Sequence, residues 1–218
     1  MVNLYAIVRA GRTTAIRTRN GSQLKQIKSG PIAAVVREVT SRPAASPGQL
    51  RRYDREMREL AERFPALLPA RFATVMAADE LLFILSSRRR DFQRALSHVR
   101  GNSQMTVRIV SGAATPQRRP AAASRPEVPA SGRDYLRARA REAAAQRVVP
   151  GFEPVRKAVA RWIRDERIEH RDGISTIYHL IPRASSTRYR QVLQQAAADA
   201  ALSAIVTGPW PPYAFTSR

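Results

Sequence analysis

The run Gly208-Pro209-Trp210-Pro211-Pro212 constrains the fold more than any other stretch of this 218-residue chain. Proline fixes φ at about −65° and drives the residue before it out of the helical region, so the run is extended or turned. The stretch before it, Ala204-Ile205-Val206-Thr207, reads as a strand, and Tyr213 and Phe215 follow the prolines. The pattern predicts a strand that leaves the core and hands over to a stiff aromatic tail. Such a tail either packs onto the chain's own domains or anchors a partner, because aromatics bury much area at small entropic cost.

A second group of prolines sets the domain organisation. Pro116, Pro120, Pro126 and Pro129 interleave with Ala, Ser and Arg over residues 112–130, a composition that supports no core. The expected fold class is α+β in two domains. An N-terminal α+β domain spans residues 1–111, residues 112–130 are a linker, and residues 131–218 form a C-terminal ferredoxin-like α/β sandwich with a modified start.

Periodicity predicts strands over residues 3–9 and 31–39, with loop over 10–30 and a short turn near Leu24 and Ile27. Ser46, Pro47 and Gln49 signal a helix start, and Leu50, Tyr53, Met57, Leu60, Ala61 and Phe64 make its apolar face until Pro65 ends it. A further helix runs from Asp79 through Leu96 to a stop at Gly101, and a strand covers 104–110. In the second domain, helices are expected from Tyr135 to Gln146 and over 152–166. Asp172-Gly173 marks a hairpin joining 167–171 to Ile174–Ile181. Ser185 caps a helix through Ala196, and residues 202–207 form the closing strand.

Charge and chemistry narrow the function. Thirty-eight basic residues against 17 acidic ones give +21, and only Lys25, Lys28 and Lys157 are lysines. One reading of that excess is an anionic partner, making an arginine-rich nucleic-acid-binding protein the alternative function; the other is a bias in composition with solvated guanidinium groups. The arginines form no single stripe and are not interleaved with exposed aromatics, so nucleic acid is not the expected partner. The absence of cysteine excludes disulfides and thiolate catalysis. No apolar run approaches the ~20 residues of a membrane span, and no charged segment precedes a short apolar one at the N-terminus, so neither membrane nor signal peptide is expected.

His98, His170 and His179 lie in no metal-binding spacing, and no phosphate loop or nucleophile elbow occurs. His170 and His179 are expected to face each other on the surface of the hairpin. Asp165, Glu166 and Glu169 read as solvated ion pairs near a helix end. The chain is therefore expected to be no enzyme and to use no metal or cofactor. Arg71, between Pro69 and Phe72 in an apolar neighbourhood, reads as a guanidinium that ties carbonyls or a carboxylate across the first domain, or else as a partner contact.

Four stretches in order resemble the gas vesicle protein F/L family. These are Leu4-Tyr5-Ala6-Ile7-Val8 as an opening strand; Pro69, Arg71 and Phe72 within Leu68–Val75, similar to Pro-x-Arg-Phe-Gly-Thr-Val; Gly132, Tyr135 and Leu136 within Ser131–Leu136, similar to Ser-Gly-x-x-Tyr-Leu; and Gly208, Pro209, Trp210, Pro211, Pro212, Tyr213 and Phe215 in the terminal motif. Ala73 stands where the family usually has glycine, which argues against φ > 0 there. Gln104 stands where the family often has glutamate, and Tyr53 and Asp54 where it often has histidine. The resemblance implies a non-catalytic assembly protein, cytoplasmic and vesicle-associated. Its implied partners are the small apolar wall-forming subunit, bound during vesicle nucleation, and other accessory proteins; a place as a minor vesicle component also follows. The terminal motif then reads as the clasp that finishes the fold.

Overall fold

The computed structural model describes residues 1–11, 15–110 and 149–216. The expected 112–130 linker, the Ser131–Leu136 motif and the helix from Tyr135 to Gln146 lie outside these residues. The described chain is mixed α+β with two antiparallel sheets and five α-helices. Its contacts divide it into two units that are not consecutive in sequence. Met1–Met105, Leu180–Ser186 and Gly208–Arg218 form one; Thr106–His179 and Thr187–Thr207 form the other. The tail thus belongs with the N-terminal residues, whereas the sequence assigns it to the second half. No described helix is long and apolar enough to cross a membrane.

In the first unit, β1 (Val2–Arg9), β2 (Ala15–Arg17), β3 (Gln23–Ser29), β4 (Ile32–Glu38) and β5 (Leu67–Met76) form a sheet in the order β2-β3-β4-β1-β5. The loop expected over 10–30 is mostly strand. Leu24 is the only fully buried side chain of β3, so alternation is faint in the sequence, and pairing with β4 supplies the order. β1 is buried from Val2 to Val8 because both faces of the sheet are covered, which explains its continuous apolar run.

Helix α1 (Pro47–Arg63) starts as expected: the Gln49 N–H donates to Ser46 Oγ at 3.3 Å, and Pro47 occupies the first turn. It packs Tyr53, Met57 and Leu60 against Tyr5, Ala6, Val8, Leu24 and Val35. Each such side chain contributes about 1.5–3 kcal/mol of apolar burial. Leu50, expected on the apolar face, is 43% exposed. In the place of one more apolar residue the stripe carries Glu56, with no exposed surface. The single helix expected from Asp79 to Arg100 is broken at Arg88 into α2 (Ala78–Ser87) and α3 (Arg89–Val99). The break lets Leu81 and Leu85 of one helix and Leu96 and Val99 of the other reach the core from different axes.

Two irregularities aim side chains. Leu4 pairs with Val36 and Ala6 with Val35, so Tyr5 is an extra residue that bulges β1 against β4. On the other edge Leu4 pairs with Thr74 and Ala6 with Pro69, so two steps along β1 face five along β5. The surplus residues, Ala70 to Ala73, loop out. Ala73 holds φ at 57°, and Thr74 Oγ1 donates to the Arg71 carbonyl at 2.7 Å to close the loop. The argument from sequence against φ > 0 at this position is overturned: the surplus residues need a left-handed turn, and the neighbouring pairing imposes it on alanine.

The bulge turns Tyr5 toward α1, where its hydroxyl donates to Glu56 at 2.9 Å. Glu56 also accepts from Ser22 Oγ and Arg37 Nη2, each at 2.7 Å, and from Arg52 Nε at 3.3 Å. Burial pushes the Glu56 carboxyl upward, but the donors from Ser22, Arg37 and Tyr5 outweigh it and hold it below the ordinary carboxylate value. Burial and the adjacent Glu56 carboxylate raise the Tyr5 phenol.

In the second unit, α4 (Glu153–Val159) is followed by a 3-10 turn at Ala160–Trp162, and then by β7 (Asp165–Arg171) and β8 (Ile174–Pro182). The helix expected over 152–166 therefore stops early, and Asp165 and Glu166 are strand residues. The hairpin turn stands where expected, with Asp172 and Gly173 at φ 50° and 74°, as a type I′ turn requires. A 3-10 turn at Arg183–Ser185 leads into α5 (Ser186–Asp199), and β9 (Ala204–Trp210) closes the sheet β7-β8-β6-β9, where β6 is Asn102–Val110.

Two outcomes follow from this geometry. Glycine takes φ near 57° without a Cβ clash, so Ala73→Gly should raise unfolding free energy by about 0.5–1 kcal/mol in urea titration. Glu56→Ala leaves two arginines and two hydroxyls facing an empty site and should cost about 3–5 kcal/mol. The native Glu56 value is depressed, so its contribution to stability is complete above the ordinary 4.5 and is lost as pH falls through the native value. Subtracting the Glu56→Gln stability curve from that of the parent should show this loss below about pH 4.5.

Candidate functional site

The terminal motif lines a cavity in the first unit. Gly208 has φ 119°, and a Cβ there would lie 2.8 Å from the Gln104 carbonyl oxygen and 3.0 Å from Met105 Sδ. Only glycine admits β9 this close to β6. Trp210 lies half-buried beneath the Arg58 guanidinium, which stands 4.4 Å from the ring centroid. Pro211 and Pro212 are buried, and the 3-10 turn Tyr213–Phe215 packs against β5 with Phe215 in the core. The Ala214 N–H donates to Gln104 Oε1 at 2.8 Å, a bond that the carboxylate of a glutamate could accept equally. Tyr213 is pushed up to about 12 by burial and by the Asp54 carboxylate.

The structure brings together the two motifs that the sequence singled out in this unit. Pro69 is buried in β5, and the Ala70 carbonyl accepts from the Tyr53 hydroxyl at 2.8 Å. Phe72 stands edge-on to the Tyr53 ring at 5.4 Å. Tyr53 in turn is raised by burial and by the nearby Tyr213. Arg71 departs from the structural expectation: its side chain is exposed and makes no hydrogen bond or ion pair among the described residues. The outward loop of β5 points it to solvent, where an unpaired guanidinium costs nothing. Gly132, Tyr135 and Leu136 lie outside the described residues.

Beneath the motif is a cavity of about 250 Å³. Trp210, Pro209 and Pro212 line it with Leu67 and Val99, and Arg58, Glu62, Asn102, Ser103 and Arg183 supply its polar atoms. Ser103 is 5% exposed, and its Oγ has no hydrogen-bond partner among the described residues. Nothing in the sequence singles out Ser103 or Arg183, since neither stands near a recognisable motif.

The second unit holds a buried polar chain that sequence reasoning placed on the surface. His179 has no exposed surface; its Nε2 meets Glu166 Oε2 at 2.7 Å and its Nδ1 meets the Tyr189 hydroxyl at 2.5 Å. Glu166 also accepts from Arg156 Nε at 3.1 Å. Burial pushes Glu166 upward, yet the hydrogen bonds from His179 and Arg156 hold it below the ordinary carboxylate range. The expected pairing of His170 with His179 is replaced by His170 Nδ1 with Ser175 Oγ at 2.9 Å. A signal for burial was present, since His179 alternates with the apolar Ile177 and Ile181. This chain seals the packing of Phe152, Trp162 and Tyr189 around it.

Among the described residues, large apolar side chains are exposed at several separate places, and two of them, on α2, are neighbours in sequence. On α2, Leu81 and Leu85 face the core, which leaves Leu82 41% and Phe83 72% exposed. Ile205 on the edge strand β9 is 58% exposed. The close approach at Gly208 yields one further expectation. Gly208→Ala should either prevent accumulation of folded protein or lower Tm by more than about 10 °C, a shift that corresponds to about 2.5–5 kcal/mol in a chain of this size. Circular dichroism on heating measures it.

Comparisons with known proteins fit this geometry. The chain is similar in structure to gas vesicle protein GvpF from Microcystis aeruginosa, with a TM-score of 0.72 and 14% identity over 100% of this chain and 99% of that one. It is similar also to GvpF from Anabaena sp. PCC7120, with a TM-score of 0.69 and 13% identity over 100% and 98%. At these identities the likeness shows the fold alone. No curated protein sequence gives a significant match. The model of the family described as gas vesicle synthesis protein GvpL/GvpF matches residues 2–217. The chain therefore belongs to the GvpL/GvpF family of gas vesicle proteins.

Proposed function

We propose that this protein is a non-catalytic assembly factor that binds the small apolar wall-forming subunit in the cytoplasm during vesicle nucleation. It stays with the vesicle as a minor component and meets other accessory proteins there. The observation that carries the vesicle role is the family match across residues 2–217. The docking part rests on α2, whose Leu82 and Phe83 are exposed on a helix already anchored by Leu81 and Leu85. Large exposed apolar side chains on an ordered helix cost nothing to preorganise and give an apolar partner a fixed platform. A wall subunit with a large apolar face aggregates unless a partner covers that face, and α2 offers matching chemistry.

The second unit is read as a modified ferredoxin-like sandwich. Its strands run β6, β7, β8, β9, with α4 before β7 and α5 between β8 and β9, and they pair in the order β7-β8-β6-β9. Among the described residues this order is consistent with the β-α-β-β-α-β sequence of the ferredoxin-like class, which supports the reading.

Co-expression with the wall subunit and capture through this chain tests the reading. The parent should retain the subunit, and the double change Leu82→Ser, Phe83→Ser should reduce recovery at least tenfold with Tm unchanged, because both side chains are exposed. Absence of a complex under conditions that keep the subunit soluble would remove the assembly role. Full retention by the double variant would move docking away from α2.

A further inference from the structure

The geometry points to the cavity under Trp210 as a binding site for a carboxylate with a short apolar body. Its walls are apolar and stiff: Trp210, Pro209 and Pro212 come from the terminal motif, and the proline rings fix the backbone that carries the indole. Two of its polar groups are poorly satisfied within the chain. Ser103 Oγ is buried with no hydrogen-bond partner among the described residues, a state that destabilises the fold unless something supplies one. Arg183 is half-buried, and among the described residues its guanidinium makes a single long bond, Nη2 to the Phe64 carbonyl at 3.5 Å.

The charges around the cavity decide the sign of the ligand. Arg58 is paired with Asp54 at 3.0 Å, and Glu62 with Arg19 at 3.1 Å. Arg183 has no carboxylate partner among the described residues. The uncompensated charge at the wall is therefore positive, and a guanidinium fork matches a carboxylate in shape as well as charge. Ser103 donates to the same group; the Asn102 amide beside it is already engaged, donating from Nδ2 to the His98 carbonyl at 3.2 Å.

Size sets the rest of the ligand. About 250 Å³ is room for about eight waters at ~30 Å³ each, more than one orphaned hydroxyl would order. It lies just below the ~300–1,000 Å³ of sites for drug-sized molecules. A small aromatic or aliphatic acid fits, and so does the carboxyl-terminal residue of a partner chain. The two sources share one chemistry, a carboxylate on Arg183 and Ser103 with an apolar group against Trp210. This site is separate from the α2 platform and does not depend on it.

The test uses the whole chain with three probes: 3-phenylpropionate, its primary amide, and acetyl-Gly-Phe with a free carboxyl group. Binding is followed by the NMR indole N–H signals, with Trp162→Phe identifying which belongs to Trp210. The acid should bind saturably, shift the Trp210 signal and exceed the amide at least tenfold in affinity. Arg183→Gln should remove at least nine-tenths of that affinity, and Arg183→Lys should restore part of it. Ser103→Ala should weaken binding at least threefold while Tm stays level or rises, because it deletes an unsatisfied buried hydroxyl. Tighter binding of the peptide than of the free acid assigns the site to a partner's chain end, and the reverse assigns it to a small acid. Equal affinity for acid and amide, shifts confined to Trp162, or full affinity in Arg183→Gln would overturn the proposal. If Arg183→Gln does not fold, the acid-to-amide ratio and Ser103→Ala decide it.

Discussion

A carboxylate stripped of water needs several donors at once, and the placement of Glu56 among four of them orders much of the first unit. Its partners come from β1, the turn before β3, β4 and α1 itself, so the bonds can all form only when helix and sheet are in register. Apolar packing by Tyr53, Met57 and Leu60 supplies more free energy but is tolerant of small slides along the sheet. The carboxylate is not. A shift of one residue along β1 would turn Tyr5 to the opposite face and leave a buried charge one donor short. The β1 bulge has its physical reason here: it adds the residue that lets Tyr5 face α1 while Ala6 and Val8 keep their places in the same core.

The tail depends on that register in turn. Trp210 is held by Arg58, and Tyr213 lies beside Asp54, so two successive turns of α1 receive the terminal motif. Arg58 and Asp54 are themselves an i,i+4 pair at 3.0 Å. The helix therefore presents a preformed polar ledge to an aromatic clasp. On the far side Gly208 lets β9 approach the Gln104 carbonyl as no other residue could. A helix fixed by Glu56 and a strand fixed by Gly208 together define the walls of the cavity, whose shape follows from positions set on either side of it.

The outline of the fold was legible where local chemistry and tertiary need agree. Ser46-Pro47 starts α1, Asp172-Gly173 turns the hairpin, and the prolines after Gly208 end the last strand, each by a rule that acts within a few residues. What was not legible was decided at a distance. β3 has one fully buried side chain and becomes a strand because β4 pairs with it. Arg88 breaks a pattern that is helical on both sides, since one straight helix would carry Leu96 and Val99 away from the sheet. Glu56 left a trace, a charge within the stripe of Tyr53, Met57 and Leu60, and such a charge signals a buried network. Ser103 and Arg183 left none, because a cavity is made by residues remote in sequence and each of its walls reads as ordinary core or surface.

The arginine excess takes on a different meaning once the rings are located. Arg37 lies 5.2 Å from the Tyr5 centroid, Arg58 4.4 Å from Trp210, Arg88 5.4 Å from Phe92 and Arg161 4.1 Å from Trp162. A planar, weakly hydrated cation can cover an aromatic face and still bond a carboxylate at its edge, as Arg37 does with Glu56 and Arg58 with Asp54. Lysine, a compact and strongly hydrated charge, could serve one of those demands but not both. At these positions arginine completes hydrophobic surfaces that the 6% aromatic content leaves thin. Substituting lysine there would preserve the net charge of +21 and loosen the clasp, so net charge and packing are separable properties of the same residues.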